Sequence, residues 1–228
     1  MKKIAPTIIT SLNLLLGFWG IMLGQIQAAG VIILACVVLD GLDGRIARTL
    51  NMQSEIGKQM DSLADLISFG ALPSYIFFLM SPIEGFIAYF FPCLIVLASA
   101  LRLAKFNTLS DTSGHFQGLP TPATAMFLAG LFFGHHAQLE MVVSWVSNPV
   151  IYSLIAVVLA ALMICPVTMI SLKKGMKKKT DRVIIVFLLI TFFLSVWILR
   201  NGFALSIMIG AYIILSCSRY MMKKRRSS

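Results

Sequence analysis

Charge is scarce in this chain of 228 residues: Asp, Glu, Lys and Arg together make up 12%, against roughly 25% in an average soluble domain. That shortage excludes a disordered or coiled-coil chain. With 58% hydrophobic residues and a mean hydropathy of +0.89, it leaves more apolar surface than a water-soluble globule of this size can hide. Histidine is nearly missing, with three residues. The four cysteines, Cys36, Cys93, Cys165 and Cys217, lie far apart in apolar stretches without a CxxC spacing. They read as small packing residues, which excludes a disulfide framework and a cysteine-histidine metal site. Acids are the rarest charge: 9 Asp and Glu against 19 Lys and Arg, a net charge of +10. The excess does not point to nucleic acid. The basic residues sit between apolar runs, where lipid headgroups and topology account for them.

Long apolar runs are abundant. About 20 apolar residues are needed to cross the hydrocarbon core as a helix. Eight stretches qualify, near residues 8–26, 29–47, 60–80, 83–103, 123–137, 150–170, 183–199 and 203–218. The fifth is the shortest and is expected to begin near Pro120. Turn residues separate them: Gly30, Ser81-Pro82, the 118–122 segment, Asn148-Pro149 and Asn201-Gly202. The predicted class is therefore all-α, a polytopic integral membrane protein with about eight transmembrane helices. With the N-terminus placed in the cytoplasm, every Lys and Arg except Arg200 falls on the cytoplasmic side. That asymmetry supports the segmentation and puts both termini inside, as expected for a multi-pass protein of a cell inner membrane.

The expected organisation is a single membrane-embedded domain over 1–228. It divides into a six-helix core (1–172), a basic cytoplasmic loop (173–182), a C-terminal helix pair (183–218) and a basic tail (219–228). The loop and tail read as anchors on an anionic leaflet, where each cation is worth about 1 kcal/mol. Lys2-Lys3 ahead of an apolar run is the opening of a signal peptide, but no convincing cleavage site precedes Ala29, so an uncleaved first helix is expected. His115, His135 and His136 read as surface or packing residues. Trp19, Trp145 and Trp197 read as interface or packing residues.

Against this scarcity of acids, five of the nine fall between residues 40 and 65: Asp40, Asp43, Glu55, Asp61 and Asp65. Asp40, Asp43, Gly44 and Ala47 follow i, i+3, i+4, i+7 spacing and share one helical face. Gly57, Asp61, Ala64, Asp65 and Ser68 do the same on the next helix. A short connection makes the two helices neighbours, so their acidic faces can converge. One Asp at the centre of a membrane helix costs about 2.5–3.5 kcal/mol on the insertion scale. Four would cost about 10–14 kcal/mol at full depth, less near the interface, and their mutual repulsion adds to it. A compensating cation is required. Hard carboxylate oxygens without a His or Cys cluster suit Mg²⁺ or Mn²⁺ rather than Zn²⁺. Two such metals on shared carboxylates make a phosphoryl-transfer site. Gly44, Ala47 and Gly57 would leave room for a pyrophosphate, and Arg48 is a fixed cation for its oxygens. A salt-bridge cluster without metal and a cation pathway are the two non-enzymatic readings. Neither explains the glycines or the spacing.

The segment resembles the signature of the CDP-alcohol phosphatidyltransferases, D-x2-D-G-x2-A-R-x8-G-x3-D-x3-D, met in full by Asp40, Asp43, Gly44, Ala47, Arg48, Gly57, Asp61 and Asp65. The resemblance implies a six-helix core with two further helices. It also implies two divalent metal ions, Mg²⁺ or Mn²⁺, held by the four aspartates with Asp40 and Asp61 bridging. Asp65 would be the general base that takes the proton of an acceptor hydroxyl. Gly44, Ala47, Arg48 and Gly57 would contact the CDP-lipid. The stretch at 6–13 (PTIITSLN) is similar to the family's opening, and its Thr10 and Asn13 would reach the nucleotide or bond between helices. Membrane lipids and a second copy of the chain, as a homodimer, are the expected partners.

Three more stretches resemble the phosphatidylserine synthases of that family: 61–70 (DSLADLISFG) with Pro73, 100–107 (ALRLAKFN) and 116–123 (FQGLPTPA). They imply CDP-diacylglycerol and L-serine as substrates. Arg102 and Lys105 would hold the serine carboxylate and Asn107 would hydrogen-bond its amino or carboxylate group. Lys105 stands where arginine is expected, which keeps the charge and loses the bidentate fork. Arg102 and Lys105 as plain membrane anchors, and 118–122 as a plain helix start, are the competing readings. So are another acceptor (glycerol 3-phosphate, an inositol phosphate or choline), which if phosphorylated needs a more cationic pocket, and a divalent-cation carrier.

Overall fold

The computed structural model describes residues 5–49, 54–108, 118–167, 169, 188, 190, 191, 193 and 202–227, with the side chains of 5–7, 47, 48 and 223–227 left aside. All regular structure in the described residues is helical. Four helical stretches are long and apolar enough to cross a membrane: Ile26–Ile46, Glu55–Leu79, Ile87–Thr108 and Ala204–Met222. The bent pair Glu140–Ser147 and Pro149–Ile164 reaches that measure only when its two halves are taken together. This is an all-α architecture with the apolar helices of a multi-pass membrane protein.

The chain opens with α1 (Ala5–Leu23) and α2 (Ile26–Thr49), which pack against each other along their length. α3 (Glu55–Asp65) runs into a π-helical turn, Leu66–Ala71, and on into α4 (Leu72–Leu79) without a break. Ser54 starts α3 by accepting the Gly57 N–H on its Oγ at 3.0 Å, a helix cap of the ordinary kind. α5 (Ile87–Thr108) begins later than the apolar run suggests, because Pro82 and Gly85 (φ 72°) hold the preceding segment out of helix. α6 (Thr121–His136) begins one residue after Pro120. α7 (Glu140–Ser147) is a short helix that the sequence reading treated as part of a connection. It meets α8 (Pro149–Ile164) at 87°. Asn148 makes that corner, its Oδ1 accepting from Val150 N at 2.9 Å and Ile151 N at 3.3 Å. α9 (Ala204–Ser227) closes the described chain. The predicted helix over 183–199 and the loop over 173–182 lie outside the described residues, apart from Leu188, Ile190, Thr191 and Phe193, which are helical.

α6 is the centre of the bundle. It packs on α2 on one side and on α9 on another, while α5 packs on α8. Leu128, Leu131 and Phe132 of α6 are fully buried, with Ile33 of α2, Phe69 of the π-helical turn, Leu72 and Ile76 of α4, and Tyr152 of α8. Small residues allow these approaches, as membrane helices require. Gly130 lies so close to Ser206 that a side chain there would strike it, and Ser206 Oγ donates to the Phe127 carbonyl at 2.6 Å. Outward, α1 shows Leu12, Leu15, Phe18 and Met22 at half exposure or more, a lipid-facing stripe.

Candidate active site

The two helices that carry the aspartates do converge. Carboxylate oxygens of Asp40 on α2 and of Asp61 and Asp65 on α3 lie within 4.8 Å of one another. All three residues are half-buried. Two ligands on opposite sides of a Mg²⁺ stand about 4.2 Å apart, from a Mg–O distance of about 2.1 Å. The cluster therefore has the dimensions of a cation site. Its donors are oxygen only, and Asp65 Oδ1 is buried without a hydrogen-bond partner among the described residues. An unpaired buried carboxylate oxygen is costly, so this donor set fits a hard divalent ion.

Asp43 takes a different place. It is 4% exposed and accepts a hydrogen bond on Oδ2 from Thr10 Oγ1 at 3.0 Å. Thr10 thus bonds across helices and fixes the carboxylate next to the cluster. Asn13, one turn further along α1, is fully buried, and neither atom of its side-chain amide has a partner among the described residues. Gly44 and Gly57 are half-buried, Gly57 in the first turn of α3. Ala47 and Arg48 continue α2, and their side chains lie outside the described residues.

The residues predicted to hold the acceptor arrive on α5. Arg102 is half-buried, and its Nε has no partner among the described residues. Its charge acts on Asp65 from one side and on Tyr212 of α9 from another. Lys105, one turn later, is exposed. Asn107 braces two helices: its Nδ2 donates to Ser62 Oγ at 2.8 Å, and its backbone carbonyl accepts from Lys58 Nζ at 3.3 Å. Its Oδ1 is buried without a partner among the described residues. The structure therefore brings Arg102 and Asn107 to the aspartate helix and leaves Lys105 at the rim.

The sequence reading gives three residues of this neighbourhood no role of their own. Ser62 stands between two aspartates as the anchor for Asn107. Ser68, on the aspartate face, donates to the Asn13 carbonyl at 2.9 Å. Tyr212 is 5% exposed and comes from the last helix, far away in sequence. Ser62 and Ser68 carry a signal in the 61–70 stretch, and Tyr212 in its i, i+4 spacing with Ser216 on an apolar helix. The 118–122 segment is a structural joint: Gly118 N and Leu119 N donate to Val167 O at 2.9 Å and Leu162 O at 2.8 Å.

A membrane-embedded carboxylate cluster on adjacent helices, spaced as the signature requires, defines an enzyme class. Residues 3–152 match the CDP-alcohol phosphatidyltransferase family, and the chain belongs to that family. Among its relatives is a CDP-diacylglycerol–serine O-phosphatidyltransferase of Helicobacter pylori, 33% identical over 224 residues, covering 95% of this chain and 90% of that one. A protein of the same name from Mycobacterium tuberculosis is 34% identical over 139 residues, covering 57% of this chain and 49% of the relative. An archaetidylserine synthase of Methanothermobacter thermautotrophicus is 34% identical over 141 residues, covering 59% and 60%.

Proposed function

We propose that this protein transfers the phosphatidyl group of CDP-diacylglycerol to the hydroxyl of L-serine, giving phosphatidylserine and CMP in phospholipid biosynthesis. The convergence of Asp40, Asp61 and Asp65 carries the chemistry. The serine-directed names of relatives across bacteria and archaea support the acceptor.

In this reading Asp40, Asp43, Asp61 and Asp65 hold two Mg²⁺ or Mn²⁺ ions. Bound there, the metals neutralise the pyrophosphate and make its lipid-bearing phosphorus electrophilic. Gly44, Ala47, Arg48 and Gly57 seat the CDP moiety, with Asn13 offering an amide to the nucleotide and Thr10 keeping Asp43 in place. Arg102 binds the serine carboxylate. Because the Arg102 charge acts on Asp65, an amino acid held there would present its hydroxyl towards that base. Asp65 takes the hydroxyl proton, the serine oxygen attacks the phosphorus, and the bond to CMP breaks. Asn107 keeps α5 braced to α3, with its free Oδ1 available to the serine ammonium. Lys105 adds positive charge at the entrance.

The finer architecture belongs to the same proposal: about eight spans, residues 1–172 as catalytic core, the pair over 183–218 and the two basic segments around it. Both termini and the site face the cytoplasm of an inner membrane, and the protein works as a homodimer.

The test is CMP release by detergent-purified protein given CDP-diacylglycerol, Mn²⁺ or Mg²⁺, and one acceptor at a time. Release that requires serine and stops with EDTA is expected. Release with glycerol 3-phosphate, an inositol phosphate or choline instead would keep the aspartate chemistry and discard the serine pocket. No release from metal-binding protein would turn the reading to a cation carrier.

A further inference from the structure

Asp65 is the last residue before the π-helical turn Leu66–Ala71, in which the Leu72 N–H donates to the carbonyl of Ile67, five residues back. Such turns are less stable than α-helix and persist only where something holds them. Here the holding groups are visible. Ser68, in the middle of the turn, is fully buried, and its Oγ donates to the Asn13 carbonyl of α1 at 2.9 Å. Cys36 Sγ of α2 donates to the same carbonyl at 3.7 Å. Opposite Ser68 on α1 is Gly17. A Cβ at Gly17 would strike Ser68 Oγ and come within 2.9 Å of Ser68 Cα. On the other side of the turn, a Cβ at Gly70 would lie 3.1 Å from Ser99 Cβ of α5. The turn is therefore wedged between α1 and α5 by two glycines and tied by one hydroxyl.

The wedge matters for what precedes it. Residues after the turn, Leu72, Ile76 and Phe77, are fully buried and cannot rotate. If the turn annealed to α-helix, it would lose its extra residue, and everything before it would rotate by about 100° about the helix axis. Asp65 and Asp61 would swing away from Asp40.

We propose that Ser68 is a positioning residue of the transfer reaction: its hydrogen bond to the Asn13 carbonyl, with Gly17 leaving room for it, holds the π-helical turn that aims the Asp65 carboxylate at the cluster. The proposal rests on the reading of Asp65 as metal ligand and base. Ser68 acts through the turn, its hydroxyl proton given to the Asn13 carbonyl.

The test uses the full chain in detergent micelles with serine, CDP-diacylglycerol and Mn²⁺. It reads kcat, both KM values and the electron paramagnetic resonance spectrum of bound Mn²⁺. Ser68→Ala is expected to lower kcat about tenfold, as loss of one buried hydrogen bond allows. Both KM values should stay within about twofold, since no substrate contact is lost. The Mn²⁺ spectrum should shift towards that of Asp65→Asn. Ser68→Thr keeps a hydroxyl at the turn and should recover most of the rate. Gly17→Ala pushes on the same turn from α1 and should repeat the Ser68→Ala pattern. Ser206→Ala removes an equally buried hydroxyl on α9 and should leave kcat and spectrum unchanged. An unshifted Mn²⁺ spectrum in Ser68→Ala, an unchanged kcat, or a rise in the serine KM as large as the fall in kcat overturns the positioning role. The reading of Asp65 has its own failure: Asp65→Asn that keeps turnover removes the base. In that case a spectrum shared by Ser68→Ala and Asp65→Asn still upholds the aiming of the carboxylate, and a wild-type spectrum in Ser68→Ala still overturns it.

Discussion

Asp65 answers to three neighbours: the carboxylates of Asp40 and Asp61, the guanidinium of Arg102, and the π-helical turn that follows it. A base must lie within hydrogen-bond reach of the proton it removes, and removal of such a group typically costs about 10²- to 10⁴-fold in rate. Asp65→Asn is isosteric and should fold, bind metal more weakly and lose turnover by about that factor. Single-turnover CMP release at saturating serine measures it, and full activity would end the assignment. Arg102→Ala addresses the acceptor. A charge-assisted hydrogen bond is worth about 1.5–3 kcal/mol, so the serine KM should rise about ten- to a hundredfold while the CDP-diacylglycerol KM moves little. Equal changes in both, or in neither, would make Arg102 an ordinary anchor. Thr10 shows why single polar residues are hard to assign from sequence. Its spacing with Asn13 allowed either a nucleotide contact or a bond between helices, and the hydroxyl turns to Asp43.

At the scale of elements, the aspartate-bearing pair α2 and α3 was legible. The signature has fixed spacing, helical periodicity converts that spacing into a shared face, and a short connection forces the two faces together. Apart from α7, the apolar runs placed the remaining described helices, although α9 continues to Ser227, nine residues past its run. Three features were not legible, each for a physical reason. The π-helical turn leaves no mark on periodicity, because it depends on Gly17 and Ser68 meeting across helices. The start of α5 was displaced by a glycine whose positive φ cannot be seen in a run of apolar residues. α7 is eight residues long, too short for a period to stand out. Gly118 is a test of how the elements are joined. Its φ is 76°, and a Cβ there would run into the Met163 carbonyl, while the carbonyls of Val167 and Leu162 accept the backbone bonds of 118 and 119. Gly118→Ala combines a left-handed penalty of about 1 kcal/mol with that clash. It should lower the thermal midpoint in detergent by several degrees, and an unchanged midpoint would mean that the α5–α6 connection is not seated on α8.

At the scale of the whole molecule, the acids and the basic residues answer one constraint. The membrane tolerates carboxylates only where they face the bundle interior and are paired or bound to an ion. In the orientation proposed from the positive-inside asymmetry, the C-terminal ends of α2 and α5 and the N-terminal end of α3 form the cytoplasmic lip, where a lipid headgroup and a soluble amino acid would both arrive, and the α6–α7 turn lies at the far face. The α9 helix lies beyond the residues that match the family, yet the Arg102 charge acts on its buried Tyr212, so α9 belongs to the site's surroundings. This orientation makes a prediction that no activity assay touches. In a variant without the native cysteines, a single Cys at Gln138, in the exposed turn after α6, should react with a membrane-impermeant maleimide added to intact cells. A Cys at Glu55, exposed at the start of α3, should react only after the membrane is opened. The reverse pattern would turn the bundle over and place the aspartates on the side where cytoplasmic serine does not reach. Labelling at both positions in intact cells would break the alternation of spans between residues 55 and 138, and with it the count of eight.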